Sequence, residues 1–217
     1  GVETFAVTDA SGAYSLVLPL GLGYTLTPYR RNYSFEPASV STGSLDADWF
    51  NDFAGTLNNY VVSGSVTVEG LALEGATVTV SGSSSAFTVT DSSGAYAFIL
   101  PGDGGYTFTP SRVNYTFSPV SLSTESLSAN WTGNDFAGAP DNYVASGSVT
   151  VGGAGLAGVT VTVSGSTDTF AVTDASGAYA LALAAEGAYT LTPALANYTF
   201  APVSLSTGFL AGNWPGN

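Results

Sequence analysis

Apolar and polar residues alternate over short stretches of this chain. Val66 and Val68 alternate with Ser and Thr, and Val78 and Val80 do so a few residues later. A period of two is typical of half-buried antiparallel strands. Gly, Pro, Asp or Asn separate the runs at intervals of roughly 8 to 12 residues, which is the strand spacing of a β-sandwich, and apolar stripes with helical spacing are nearly absent. We therefore predict an all-β chain.

The pattern repeats with a period of about 83 residues. Asp9, Asp91 and Asp174 lie 82 and then 83 residues apart, and tyrosines and tryptophans recur at the same spacing. This period is longer than the roughly 20 to 50 residues of solenoid repeats, so each unit is long enough to be a small domain. The fold predicted is a tandem array of antiparallel Greek-key β-sandwiches with about seven strands each.

The repeats divide the chain into three units. Residues 1–58 are a partial sandwich, residues 59–141 a complete one, and residues 142–217 a nearly complete one. The first unit lacks the two strands that residues 59–82 supply in the second, so it should expose a sheet edge. We expect the missing strands to come from residues upstream in a longer repetitive polypeptide, or from another copy by strand addition.

One heptapeptide occurs in every unit, as TDASGAY twice and as TDSSGAY once. Its Asp can accept hydrogen bonds from amides two residues on, and its Gly can adopt the positive φ that closes a type I turn with a bulge. The favoured interpretation is a structural hairpin turn; a ligand-binding loop is the alternative. The residues concerned are Asp9, Gly12, Asp91, Gly94, Asp174 and Gly177.

Composition excludes several classes of function. The 217 residues are 45% hydrophobic and 9% charged, and 16 acidic residues against three arginines give a net charge of −13. This charge repels phosphate backbones, so we expect no nucleic-acid partner, and no apolar run approaches the roughly 18 residues of a membrane span. Without His, Cys or Lys, catalysis would depend on carboxylates and hydroxyls. We therefore expect no enzyme activity and no cofactor.

The strand and turn motifs together resemble a known group of modules. The segments SGSVT, GATVTVSG, TDSSGAYAFILP and YTFTPSRVNYTFSP are similar to those of carboxypeptidase regulatory-like and Cna-B-like modules. The resemblance implies a prealbumin-like, Ig-like seven-stranded sandwich of the kind that occurs in strings in bacterial surface proteins. Cna-B-like domains often carry a Lys–Asn isopeptide bond, and sortase-built pili need a Lys, but this chain has no lysine. Neither cross-link can form within it.

Three tryptophans at equivalent positions are the first candidate for a binding site. They would either close the end of each core, since a buried aromatic ring contributes several kcal/mol, or form an exposed platform that stacks on sugars. The closing of the core is the favoured interpretation. The residues are Trp49, Trp131 and Trp214.

Four asparagines begin N-x-S/T sequons, which predict either glycosylation or a simple turn into the next strand. They are Asn32, Asn114, Asn130 and Asn197. Asp46, Asp48 and Asp52 cluster in the first unit, but the other units do not repeat them, so we predict no calcium site. The arginines precede two of the sequons and would pair with acids of a neighbouring domain; they are Arg30, Arg31 and Arg112.

These observations favour a structural extracellular protein that forms a fibre, stalk or surface coat by contacts between adjacent repeats or subunits. Linkers such as TLNNY and APDNY are too short for free tumbling, so the array should be a semi-rigid rod. A surface rich in Ser, Thr, Gly, Asn and Asp with no Lys is typical of secreted or cell-surface proteins. The alternative is an adhesin or accessory module that binds a glycan or a protein through Trp and Tyr.

Overall fold

The computed structural model describes residues 3–216, which form 21 β-strands and no helix. Every strand pair among these residues joins two strands of the same repeating unit. The strands therefore fall into three sets.

The first set lies between residues 3 and 58 and is sparse. Its strands form two separate antiparallel pairs, β1 with β3 and β2 with β4. Residues 3–23 form no strand, and Val17 and Phe5 in this stretch are 100% and 85% exposed. Their counterparts in the second unit pair with strands that the first unit does not contain. The bounds are β1 (Tyr24–Leu26), β2 (Tyr33–Glu36), β3 (Val40–Thr42) and β4 (Ala54–Leu57).

The second set forms a complete sandwich of two sheets. The strands are β5 (Asn59–Val68), β6 (Leu71–Ala72), β7 (Thr77–Gly82), β8 (Ala86–Val89), β9 (Ala95–Pro101), β10 (Tyr106–Ser111), β11 (Tyr115–Ser118), β12 (Leu122–Thr124) and β13 (Phe136–Pro140). One sheet has the order β12-β10-β7-β8; the other has the order β11-β13-β5-β6, with β9 paired to β5.

Alternating burial on these strands produces the core between the two sheets. On β10, Tyr106 and Phe108 are 2% and 0% exposed, whereas the intervening Thr107 and the next residue, Thr109, are directed outward. The Phe108 ring lies 5.7 Å from that of Phe98 on β9, so the two sheets contact each other directly. Full burial of one such ring stabilises the fold by roughly 1.5 to 3 kcal/mol.

The third set repeats part of the second with the same pairing, but its described residues contain no counterparts of β11 and β13. The opposite pair Thr109 and Thr79 of the second unit corresponds to Thr192 and Thr162 of the third. One sheet has the order β18-β17-β20-β21, and β14 pairs with β19. The strands are β14 (Asn142–Ser148), β15 (Thr150–Val151), β16 (Ala154–Gly155), β17 (Thr160–Gly165), β18 (Thr169–Val172), β19 (Ala178–Ala184), β20 (Tyr189–Ala194) and β21 (Leu205–Thr207).

Two details of the second unit differ from the sequence expectation. It has nine strands rather than about seven, in part because the run from Tyr115 to Thr124 is divided between the two sheets. Pro119 follows β11 directly and has no N–H to continue a ladder. In addition, β13 runs parallel to β5, with Phe136 opposite Val66, so one pair departs from the antiparallel pattern.

Candidate functional site: the junctions between units

The first junction is built around Asn32, which has a positive φ of 63° and is only 6% exposed. Its carbonyl oxygen accepts a hydrogen bond from the N–H of Asn58 at 2.8 Å, and the carbonyl of Asn58 accepts one from Gly102 N–H at 2.8 Å. The Tyr60 hydroxyl donates to Asn32 Oδ1 at 2.9 Å. Asn32 Nδ2 donates to the carboxylate of Asp103. One side chain of the first unit thus contacts a strand and a loop of the second.

The second junction has the same backbone hydrogen bonds. Asn114 has a φ of 65°, and its carbonyl oxygen accepts from Asp141 N–H at 2.8 Å. The carbonyl of Asp141 accepts from Ala185 N–H at 2.7 Å. The Tyr143 hydroxyl donates to Asn114 Oδ1 at 2.6 Å. Two separate places in the chain therefore build the same joint from residues 82 or 83 positions apart.

The two junctions differ in the acid that each receives. Asp103 and Glu186 both have positive φ values, 59° and 64°, but the longer Glu186 bonds other partners. It accepts from the Tyr115 hydroxyl at 3.0 Å and lies 3.5 Å from the Arg112 guanidinium. Burial raises the pKa of Tyr115, the Glu186 carboxylate raises it further, and Arg112 opposes this change.

Two of the three arginines, Arg30 and Arg112, stack on the tyrosine that directly follows a junction asparagine. Arg112 donates to the carbonyl oxygen of Glu74 at 2.8 Å, and its guanidinium lies 4.9 Å from the centroid of the Tyr115 ring. In the first unit, Arg30 lies 4.5 Å from the centroid of the Tyr33 ring. The ion pair between Arg112 and Glu186 crosses the unit boundary, but its side chains are 29% and 24% exposed, so its contribution is at most about 1 kcal/mol.

The heptapeptide forms the same turn three times. In each copy the Asp Oδ1 accepts from the amide two residues on at 2.8 Å, from the hydroxyl of that Ser at 2.6 Å and from the amide four residues on at 3.0 Å. The Ser hydroxyl, followed by these amides, lowers the pKa of each Asp. The residues are Asp9 with Gly12, Asp91 with Gly94, and Asp174 with Gly177.

The glycine of the turn has a positive φ in every copy, between 74° and 85°. In the second unit a Cβ on Gly94 would lie 2.5 Å from the carbonyl oxygen of Val66, and in the third a Cβ on Gly177 would lie 2.3 Å from that of Val149. Conformation and close backbone approach therefore both require glycine at these two positions. That these turns serve only to reverse the chain, and do not bind a ligand, remains a prediction.

The tryptophans are half-buried at equivalent positions. Trp131 packs edge-on against Phe108, with 5.8 Å between ring centroids, and belongs to the edge of the second core. Its backbone bonds β5, because its N–H donates to Val61 O and its O accepts from Ser63 N–H, both at 2.9 Å. Trp214 packs against the third core in the same way. A sugar would therefore reach only part of each ring.

The four sequon asparagines occupy different environments. The Nδ2 of Asn32, to which a glycan would be attached, is inside the first junction, so its placement argues against glycosylation of the folded chain. Asn114 is half-buried in the second junction. Asn197 and Asn130 are exposed, and Asn130 Oδ1 accepts from the Val61 N–H at 2.9 Å. Glycosylation at these positions remains a prediction.

Acidic residues form no metal-binding cluster in residues 3–216. Asp46 accepts from the hydroxyl of Ser44 at 3.0 Å. The described chain also contains no helix long and apolar enough to cross a membrane.

Two kinds of buried polar residue were not singled out by the sequence. Thr90, which is 3% exposed, accepts from Ala76 N–H at 2.9 Å and donates to Leu73 O at 2.6 Å. Thr173 makes the equivalent bonds in the third unit. Asn134 fixes the approach to β13, since its carbonyl oxygen accepts from the Tyr96 hydroxyl at 2.6 Å. The sequence signal that could have identified these threonines is their recurrence 83 residues apart.

Comparisons with known proteins identify the fold but no family. No model of a known protein family matches the chain. This chain is similar to part of Chitinase ChiA of Flavobacterium johnsoniae, with 37% identity over an alignment of 155 residues that covers 66% of the chain and 10% of the chitinase. The chain thus spans about a tenth of that curated relative.

Among solved structures, the TIE protein of Bacillus anthracis has a TM-score of 0.62 and 16% identity, over 97% of this chain and 43% of that one. The streptococcal ancillary pilin has a TM-score of 0.36 and 12% identity, over 76% and 60%. The likeness to the TIE protein supports the β-sandwich fold.

Proposed function

We propose that this chain is a structural spacer, in which β-sandwich units joined by semi-rigid junctions form an extracellular fibre, stalk or surface coat. The observation that carries the proposal is the repetition of one junction at two places in the chain. In both, the linker residue is held on two sides by backbone hydrogen bonds of 2.7 to 2.8 Å, and a tyrosine of the following unit bonds the asparagine of the preceding one. A flexible tether would need no such contacts.

The distance between two equivalent points in the second and third units tests this proposal. The chain has no cysteine, so Ala97→Cys and Ala180→Cys create two unique spin-label sites. Both positions are exposed on equivalent strands. We expect one narrow distance distribution by pulsed electron paramagnetic resonance. A wild-type distribution as broad as that of a flexible linker would contradict the proposal.

A variant of the second junction tests whether the hydrogen bond between Tyr143 and Asn114 makes the junction stiff. Tyr143→Phe removes the hydroxyl that donates to Asn114, and we expect a broader distribution without loss of fold. Tyr198→Phe is the matched control, since Tyr198 is 44% exposed and lies away from the labelled junction. Equal distributions for both variants would show that the hydroxyl does not stiffen the joint.

The second candidate function is a carbohydrate-binding accessory module. The likeness to a chitinase supports it, because a segment that matches only a tenth of that protein has the size of an accessory module within it. Soluble chitin oligosaccharides should then quench tryptophan fluorescence in a saturable way. The proposal assigns no catalysis to the chain, and release of sugar from chitin by the purified protein would contradict that part of it.

A further inference from the structure

One face of the β7–β10 sheet carries ordered rows of hydroxyl groups. Each strand contributes three residues at alternate positions, which point away from the buried Val78, Val80 and Phe108. The two strands are hydrogen-bonded neighbours, and each outward residue of β7 lies directly opposite one of β10. The residues are Thr77, Thr79 and Ser81 on β7, and Thr107, Thr109 and Ser111 on β10.

An exposed aromatic ring borders these rows. Phe87 on the edge strand β8 lies opposite Thr79 and is 71% exposed, and Val89 lies opposite Thr77 and is 50% exposed. Thr77, Thr79 and Phe87 line a shallow groove. Across the sheet the order is therefore ring, hydroxyl, hydroxyl, with neighbouring strands about 4.8 Å apart and successive outward residues of one strand about 6.7 Å apart. We call this surface the hydroxyl face.

The third unit repeats the hydroxyl face. Phe170, which is 65% exposed, lies opposite Thr162, and Thr162 lies opposite Thr192. The Thr190 hydroxyl bonds that of Ser206 at 3.0 Å, and Thr25 bonds Ser41 at 2.9 Å in the first unit. Nothing in the cores requires an exposed phenyl ring at this position. Its recurrence in the second and third units therefore needs another explanation.

The face carries no charge, although the whole chain has a net charge of −13. No Asp, Glu or Arg lies on the four strands of this sheet in the second or the third unit. A cationic or anionic ligand would find no partner there. Protein partners are also disfavoured, because protein interfaces are depleted in Ser, and Ser and Thr seldom supply their binding energy.

We propose that the hydroxyl face binds a neutral, extended polysaccharide. The C–H face of a pyranose ring is apolar and packs on an aromatic ring, and its hydroxyls exchange hydrogen bonds with rows of Thr and Ser hydroxyls, which both donate and accept. This site differs from the tryptophan surface, whose rings are half-buried in the cores. It goes beyond the spacer function and does not depend on it.

Retention of the full chain on insoluble chitin and cellulose tests the proposal. Because the hydroxyl face occurs in both the second and the third unit, both rings are removed together in Phe87→Ala/Phe170→Ala. We expect roughly tenfold weaker binding, typical of the loss of an aromatic anchor. Ile99→Ala is the matched control, because Ile99 is 74% exposed on the other sheet and should leave binding unchanged.

A second variant tests the hydroxyls without changing the shape of the face. Thr79→Val/Thr109→Val/Thr162→Val/Thr192→Val keeps the β-branched side chains, so the sheet should fold while binding falls. Wild type that binds neither polymer, or retention that the ring variant leaves intact, would overturn the proposal. The proposal would also be overturned if wild-type chains associated with one another, the ring variant abolished this association, and neither polymer retained the protein. The occupant of the face would then be a second copy of the chain.

Discussion

Replacement of Gly64 by alanine tests how closely the chain segment before β13 approaches its neighbouring strand β5. Gly64 lies in β5 opposite Tyr96, and a Cβ there would lie 2.0 Å from the carbonyl oxygen of Asn134. The Asn134 backbone must retreat by about 1 Å to restore ordinary contact. It cannot do so freely, because its carbonyl oxygen also accepts the Tyr96 hydroxyl, and its Nδ2 donates to Ser63 O at 3.2 Å.

The size of the effect follows from these contacts. Overpacking costs about 1 to 3 kcal/mol, and loss of the buried Tyr96 hydrogen bond costs a further 1 to 3 kcal/mol. We therefore expect Gly64→Ala to lower the free energy of unfolding by about 2 to 6 kcal/mol. This is a large fraction of the roughly 5 to 15 kcal/mol of a typical domain. The Tyr96→Phe variant isolates the hydrogen bond and should lose only about 1 to 3 kcal/mol.

Urea unfolding followed by near-UV circular dichroism measures the change. Gly208→Ala is the control, because a Cβ there meets no atom within 4 Å and its φ is not in the left-handed region. We expect that variant to stay within about 0.5 kcal/mol of wild type. If Gly64→Ala does the same, the close contact between β5 and Asn134 is not present in solution.

Two further predictions concern the turns and the buried threonines. The hydrogen bonds from Ser93 and Ala95 hold the folded-state pKa of Asp91 below its ordinary value, so the contribution of this carboxylate to stability is present above about pH 4 and is lost as the pH falls through the folded pKa. Asp91→Asn should therefore reduce the acid-induced fall in melting temperature, and a pH profile equal to that of wild type would contradict the role of the turn. Thr90→Val should lower the free energy of unfolding in urea by about 1 to 3 kcal/mol, because it leaves the buried Ala76 N–H and Leu73 O without their partner. The exposed variant Thr79→Val should change this free energy by almost nothing. Equal values for the two variants would show that the hydrogen bonds of Thr90 are not needed for stability.

Local chemistry explains why much of the fold was predictable. The alternation on β10 is a consequence of strand geometry, in which successive side chains point to opposite faces, so Phe108 is buried and Thr109 is not. The Asp91 turn needs only residues within four positions of one another. The all-β class could therefore be predicted from neighbouring residues alone.

The junctions show where sequence reasoning stopped. Asn32 begins a sequon, and the sequence alone left open whether it carries a glycan or turns the chain. Its actual partners, Tyr60 and Asp103, lie 28 and 71 residues away. Nothing in the local pattern encodes such a contact, because it depends on how two folded units meet.

By itself, the sequence predicted the all-β class, the repeated turns and the period of about 83 residues, since each depends on residue type and short-range geometry. Tertiary structure alone decided that Phe136 pairs in parallel with Val66, that Gly64 touches Asn134, and that Phe87 lines up with Thr79. The first two contacts join residues 70 positions apart, which meet only when strands from distant parts of the chain pair, and the third depends on the register of β7 and β8. Their energies depend on distances of a few ångströms that no linear pattern records.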